Sequence, residues 1–287
     1  MSATHGMVGD GPVTRPPMRY HGGKWVLAPW IVNHMPPHRV YVEPYGGGGS
    51  VLLSKEPSGL DVYNDLDGDV VNLFRVLRER PDDLARAIEL TPFALAELDL
   101  SYEPTDDPME RARRLYVRVW QGRSTSRGQW RVGWRRQTQS DKSSALRDWQ
   151  RPLDNLYAVA ARLRRVQIDQ DDAIKCILRY DRPDTLFYCD PPYPAETRGR
   201  WKTSAYQHEM TTEDHECLAD TLMDIQGMAL ISGYPCELYD RLYADWRRVE
   251  REVPADGGDM RTEVLWISPR AVAYHANALP LFGFVPQ

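Results

Sequence analysis

An apolar run that stops at an acid and two prolines constrains this chain more than any other stretch. Thr185-Leu-Phe-Tyr-Cys189 reads as a buried strand, and Asp190-Pro191-Pro192-Tyr193 follows it without a spacer. Proline fixes φ and lacks an N–H, so a central strand ends there and the turn is stiff and rich in acceptors. The Asp190 carboxylate and the Pro191 carbonyl both accept hydrogen bonds, and Tyr193 offers a ring face. Taken alone, the tetrapeptide is equally an ordinary strand-ending turn, since Asp and Pro favour turns for local reasons. As a site, it suits a planar amine such as the exocyclic nitrogen of adenine.

A second stretch tips the balance. Val40-Tyr-Val-Glu43 is a short apolar strand ending in an acid, followed by Pro44-Tyr-Gly-Gly-Gly-Gly-Ser50 and an apolar helix start, with Ser50 expected as the helix cap. Glycines there let the backbone adopt positive φ and approach a ligand closely. The pattern is neither GxGxxG nor a phosphate loop ending in Gly-Lys-Ser/Thr. Gly59-Leu-Asp-Val-Tyr-Asn-Asp65 reads as a further strand ending in an acid. In a Rossmann-like unit such an acid bonds ribose hydroxyls, and Asp65 is preferred over Asp61, which lies at the strand's start. Asp67 and Asp69 suit the first turn of a helix over 66–80.

The alternation of strands with helices indicates an α/β fold. The expected organisation is a flexible leader over 1–17, a catalytic domain from 18–85 and 166–287, and a recognition insert over 86–165. No apolar run approaches the ~20 residues of a membrane span, and nothing near Met1 has the form of a secretory signal. Cys176, Cys189, Cys217 and Cys236 are scattered without CxxC pairs, so they are expected to be reduced and mostly core, with no metal site. His208 and His215 are accounted for by a solvated helix face starting near Thr211.

The net charge of -5 argues against a polyanion partner until its distribution is read. Between Arg111 and Arg165 stand fifteen Lys/Arg and three acids, a local charge of +12 that leaves -17 on the remainder. Such segregation points one face toward phosphates. Within it, Trp120-Gln-Gly-Arg-Ser-Thr-Ser-Arg-Gly-Gln-Trp-Arg-Val-Gly-Trp-Arg-Arg136 interleaves arginines with aromatic and amide side chains. Its glycines predict a loop or hairpin, bracketed by helices over 110–120 and 153–166. Arg123, Arg127, Arg131, Arg135 and Arg136 are the expected DNA contacts. Any one of them alone is more simply a solvated surface charge.

Four stretches together resemble the Dam-type DNA adenine methyltransferases: Arg19-Tyr-His-Gly-Gly-Lys24, Glu43-Pro-Tyr-Gly-Gly-Gly-Gly-Ser50, Asn64-Asp65 and Asp190-Pro-Pro-Tyr193, in that order. Weaker echoes follow in Leu230-Ile-Ser-Gly-Tyr234 and Arg261-Thr-Glu-Val-Leu-Trp266. The resemblance implies a Rossmann-like S-adenosylmethionine-dependent methyltransferase sheet carrying an inserted, mostly helical DNA-recognition domain. Seven strands are expected at 39–43, 60–64, 165–169, 185–189, 228–232, 247–253 and 262–268, the last two forming an antiparallel edge. S-adenosylmethionine would lie against Tyr20, Lys24, Glu43, Gly46, Gly47, Asp65 and Asp172, with Asp171 the rival of Asp172. Lys24 is expected at the cofactor's methionine carboxylate and Glu43 at its amino group.

By the same resemblance, Asp190, Pro191 and Tyr193 are the catalytic set, acting on the N6 amine of an adenine flipped from double-stranded DNA, with Tyr193 stacked on the base. A restriction endonuclease partner, a monomeric or weakly dimeric state and a cytoplasmic location in a prokaryotic or phage setting go with it. The family's Phe-Asn pair in the DNA-reading loop has no counterpart here, which leaves the target sequence unnamed. Two other readings stay open: methylation of RNA adenine, a cytosine N4 amine or a protein amide, and a non-catalytic DNA-binding protein retaining the fold.

Overall fold

A computed structural model describes residues 11–124, 131–136, 145–150, 153–198, 206–254 and 260–277. Seven strands form one sheet: β1 (Val40–Glu43), β2 (Leu60–Asn64), β3 (Val166–Asp169), β4 (Thr185–Cys189), β5 (Met228–Gly233), β6 (Arg247–Pro254) and β7 (Met260–Ile267). Their order is β3-β2-β1-β4-β5-β7-β6, with β7 antiparallel to both neighbours and β1 to β5 mutually parallel. Each expected strand is found within two residues of its expected bounds. The order reverses between β1 and β4, and in open α/β sheets ligands bind outside the strand ends at such a point.

The strands read as they do because the central ones are covered on both faces. All of β4 and all of β5 are buried. Alternate residues point to opposite sides of the sheet. Tyr41, Tyr63, Leu186, Tyr188, Leu230 and Leu265 belong to one apolar cluster, and Val42, Val62, Phe187, Cys189, Ile231 and Trp266 to the other. The outer strand β6 instead carries Arg247, Arg248, Glu250, Arg251 and Glu252, a charged edge that discourages pairing with other chains.

The helices are α1 (Ala28–Val32), α2 (Ser50–Ser54), α3 (Gly68–Glu79), α4 (Pro81–Glu89), α5 (Leu95–Leu100), α6 (Pro108–Gln121), α7 (Ala145–Trp149), α8 (Asp154–Leu163), α9 (Ala173–Tyr180), α10 (Thr212–Asp224), α11 (Glu237–Leu242) and α12 (Pro269–Asn277). Asp67 caps α3 through the Asp69 amide, and the helix buries Val70, Val71, Leu73, Phe74, Val76 and Leu77. Against that face pack α6 and α8, so Leu84, Leu115, Tyr116, Leu156 and Val159 share one apolar cluster with Tyr41 and Phe74. Lys55 Nζ and Arg162 both bind the buried Asp61, at 2.9 and 2.5 Å, and fasten α8 to the start of β2.

Several local expectations are corrected. The residue capping α2 is Gly49, not Ser50, because the chain enters the helix in a left-handed conformation (φ 63°). The leader is held from Thr14 onward: Asn155 accepts from the Thr14 and Arg15 amides, and Arg15 lies over Trp120. His215 is not on a solvated face. It is 1% exposed, its Nδ1 is 3.1 Å from the Tyr239 hydroxyl, and burial pushes its pKa down to about 4. Of the cysteines, Cys176 and Cys189 are buried, but Cys217 is exposed and Cys236 half-buried.

Candidate active site

Three strand ends and one glycine loop converge on a single cavity of about 480 Å³. Glu43 ends β1, Asp65 follows β2 and Asp190 follows β4. All three line the cavity, together with Tyr20, Lys24, Gly46, Gly47, Asp171, Asp172 and Pro192. Every residue expected to hold the cofactor is thus at one place, although they span Tyr20 to Asp172.

The glycine loop is shaped by contacts that admit no side chain. A Cβ on Gly46 would fall 2.2 Å from the Tyr63 ring, and Gly47 has φ 48° with Tyr20 2.7 Å from where its Cβ would be. Tyr63 donates to the Gly47 carbonyl at 2.7 Å and stacks on Phe74. Asp65 accepts from the Gly47 amide at 2.7 Å and from the Asp67 amide at 2.8 Å. Asn64 reaches across to both sides: its Nδ2 donates to the Pro44 and Asp171 carbonyls, and its Oδ1 accepts from the Asp171 amide. Asp172 caps α9 through the Lys175 amide, while the carboxylate of Asp171 is paired with Arg179 at 2.5 Å.

Glu43 is 2% exposed and accepts from the Tyr41 hydroxyl (2.7 Å) and the Leu52 amide (2.6 Å). Burial dominates and pushes its pKa up to about 8. Asp190 is also raised by burial, with Lys24 pulling the other way. Lys24 departs from expectation: its Nζ lies 3.0 Å from Asp190 Oδ1 and 3.7 Å from Glu263 Oε1, and donates to the Gly22 carbonyl at 2.7 Å. Burial alone would lower the Lys24 pKa, but the two carboxylates outweigh it and the group stays charged. Within this set Asp190 has the most accessible side chain, 18% against 6% for Lys24 and 4% for Glu263, so it is the carboxylate presented to a ligand.

Tyr193 is placed differently from a free stacking surface. It is 6% exposed, with Lys24 Nζ 4.8 Å from its ring centroid, Tyr234 edge-on at 4.8 Å, and its hydroxyl bonded to Glu263. Pro191 is buried beside it, and Pro192 is the proline that lines the cavity. Two residues of this set were not singled out in the sequence. Glu263 lies inside the weak echo at 261–266, whose apolar remainder reads as plain strand. Arg198 donates from Nε to the Tyr193 carbonyl at 2.6 Å and pairs with Glu209, and no local signal marks it.

The basic segment is sorted as well. Gly122 and Trp134 form an antiparallel bridge, closed by Arg123 N to Gly133 O and Arg135 N to Gln121 O, in keeping with a hairpin. Arg123, Arg131 and Arg136 are exposed; Arg131 pairs with Glu103 and Arg136 lies over Trp134. Arg135 is turned inward, onto Asp148 and the Trp120 carbonyl. Arg127 lies outside the described residues. Among the described residues no helix is long and apolar enough to cross a membrane.

Comparison with known proteins points the same way. Residues 20–254 match the family described as D12 class N6 adenine-specific DNA methyltransferase. The DNA adenine methylase of Escherichia coli strain K12 is 24% identical over 84% of this chain and 90% of its own length. That of Salmonella typhi is 24% identical over the same shares. That of Vibrio cholerae (strain O395) is 27% identical over 79% of this chain and 83% of its own. Among solved structures, precorrin 8w decarboxylase of Methanobacterium thermoautotrophicum is similar at a TM-score of 0.36 and 9% identity, covering 91% of this chain and 98% of that one. The match spans the glycine loop, Asp190 and six strands of the sheet, and the chain belongs to the D12 class N6 adenine-specific DNA methyltransferases.

Proposed function

We propose that this adenine-specific DNA methyltransferase takes its methyl group from S-adenosylmethionine, held in the cavity between the glycine loop and Asp190. The carrying observation is that the Asp190 carboxylate, at the end of β4, opens into the same cavity as Glu43, Asp65 and the glycine loop. A volume of about 480 Å³ is ample for a nucleoside-sized ligand. Asp65, Asp171, Asp172 and Asp190 give the lining an excess of acids, which suits a ligand carrying a sulfonium and an ammonium. When bound, that cofactor supplies an electrophilic methyl group. Asp65 would accept from ribose hydroxyls, Glu43 from the amino group, and Asp172 from the adenine amine of the cofactor.

The acceptor nitrogen of the target adenine is a poor nucleophile because its lone pair is delocalised into the ring. Asp190 and the Pro191 carbonyl, accepting from its two N–H groups, favour a more tetrahedral nitrogen and aim the lone pair. Orientation of this kind can recover several kcal/mol of a barrier. In a duplex that amine is paired, so the base must leave the stack at a cost of a few kcal/mol, offset by contacts to phosphates and to the base itself. Tyr193 would have to turn from Glu263 to stack on the base, or else serve as an edge wall of its pocket. The enzyme is read as a monomer or weak dimer, with or without a companion restriction endonuclease.

The test is methyl transfer from labelled S-adenosylmethionine to unmethylated genomic DNA, comparing the wild type with Asp190→Asn and mapping modified adenines by single-molecule sequencing. Methylation at one short motif, reduced on the order of 10²–10³-fold or more in the variant, is the expected result. Donor binding without label in DNA would instead direct attention to RNA or protein acceptors.

A further inference from the structure

Glu263 has no part in the chemistry described so far, yet it is built into its centre. Because β7 runs against its neighbours, its first residues lie at the edge where β4 and β5 end, and Glu263 there is 3% exposed. It accepts the Tyr193 hydroxyl and stands 3.7 Å from Lys24 Nζ, which is itself 3.0 Å from Asp190. One buried ammonium therefore faces two carboxylates at distances that differ by less than 1 Å. A buried carboxylate is costly unless it is paired, and the strand after Glu263, Val264 to Ile267, is apolar.

Resting on the reading of Asp190 as acceptor of the adenine amine, we propose that Glu263 is a positioning residue that draws the Lys24 ammonium toward itself and so leaves Asp190 an oxygen for the amine. With Lys24 wholly on Asp190, the amine would compete with a charge-assisted bond roughly twice as strong as a neutral one. Glu263 divides that bond. The groups around the pair do not share the task. Asp190 also interacts with Glu43, Tyr188, Cys189, Tyr193, Tyr206 and Tyr239; burial pushes all of these up, so the phenols and the thiol remain neutral at working pH. Glu263 faces Lys24, Tyr193 and Asp190, with Arg251 as its cross-strand neighbour.

The experiment is single-turnover methyl transfer to unmethylated genomic DNA across pH, on full-length Glu263→Gln, which keeps an oxygen for the Tyr193 hydroxyl and removes the charge. The expected plateau falls tenfold or more, with donor affinity within threefold of wild type. The acid limb of the profile moves to lower pH, because Lys24 then rests on Asp190 alone and holds its carboxyl lower. A limb that stays in place or rises overturns the proposal, whatever the plateau. Tyr193→Phe has the opposite sign: it frees Glu263 for Lys24 and also takes the Tyr193 hydroxyl away from Asp190, so the limb moves upward, and it carries the test should Glu263→Gln not fold. A limb unmoved or lowered there also overturns the proposal. Asp190→Asn alongside separates the two readings. Full activity in Asp190→Asn removes the role of Asp190 itself, whereas an inactive Asp190→Asn beside a wild-type-like Glu263→Gln removes only that of Glu263.

Discussion

The Asp65 carboxylate and the Gly47 amide meet at 2.7 Å, so the end of β2 holds the loop that follows β1. The other oxygen of Asp65 sets the start of α3 through the Asp67 amide. Asp65→Ala is therefore expected to loosen the loop and weaken donor binding at least tenfold. The unsatisfied Gly47 amide adds a stability loss of about 1–3 kcal/mol. Isothermal titration calorimetry and denaturant melts measure the two; undiminished donor affinity would exclude Asp65 from the donor site.

Asp61 carries the opposite kind of load. It is fully buried between Lys55 and Arg162, and although burial alone would raise its carboxyl, the two cations outweigh it and hold it below its ordinary range. Asp61→Ala leaves two buried cations without their counter-charge, a defect that costs about 3–5 kcal/mol. The wild-type contribution is present above the unfolded pKa and is lost as pH falls through the lowered folded one. Urea melts at neutral and acid pH test this: the gap between wild type and variant should narrow in acid.

Glu43 has the reverse linkage. Burial keeps it protonated up to about pH 8, whereas its ordinary value is 4.5. Its contribution to stability is fullest below 4.5 and is lost as pH rises through about 8. Glu43→Gln retains an oxygen for Tyr41 and Leu52 and cannot ionise. Its Tm should exceed that of the wild type by a few degrees at pH 9 and match it at pH 5, as read by differential scanning calorimetry. Equal melting at pH 9 would mean that the carboxyl finds a way to ionise cheaply.

The arginines divide by what they already hold. Arg131→Ala removes an exposed guanidinium, so DNA affinity should fall and the slope of log affinity against log salt should shrink by about 1. Arg135→Ala should instead lower stability, because it deprives Asp148 of its cation and the Trp120 carbonyl of a donor, and leave the salt slope nearly unchanged. Fluorescence anisotropy on duplex DNA over a salt series distinguishes them; equal slopes for both variants would refute the division.

What the chain reveals on reading is set by the range of the interaction. The strands Val40–Glu43 and Thr185–Cys189 announce themselves because burial on both faces favours apolar runs, and the acids at or just after their ends fall at the sheet edge as a matter of geometry. Asp172 came into view only through the family resemblance; the helix it caps through the Lys175 amide is a local feature. The partner of Tyr193 was not legible, since Glu263 is seventy residues away and only the antiparallel course of β7 brings it near. Arg135 and Arg131 look alike as letters; a distant Asp148 turns one inward. His215 likewise belongs to the interior, on the buried face of α10 with Leu218, Ala219 and Leu222, where it meets Tyr239. Gly49 displaced Ser50 as cap since a left-handed entry overrides a side-chain preference.

Val40 pairs with Thr185 and Val42 with Phe187, so the two central strands of the sheet are neighbours in space while the whole basic segment is spooled out between them in the chain. A ribosome that has not yet passed Thr185 holds a nascent protein whose β1 is an open edge, the form most prone to pair with the wrong strand. Such distant pairings also close slowly. The glycine loop and Asp190 can therefore meet only late in synthesis, and no truncated product that stops short of β4 can mark DNA.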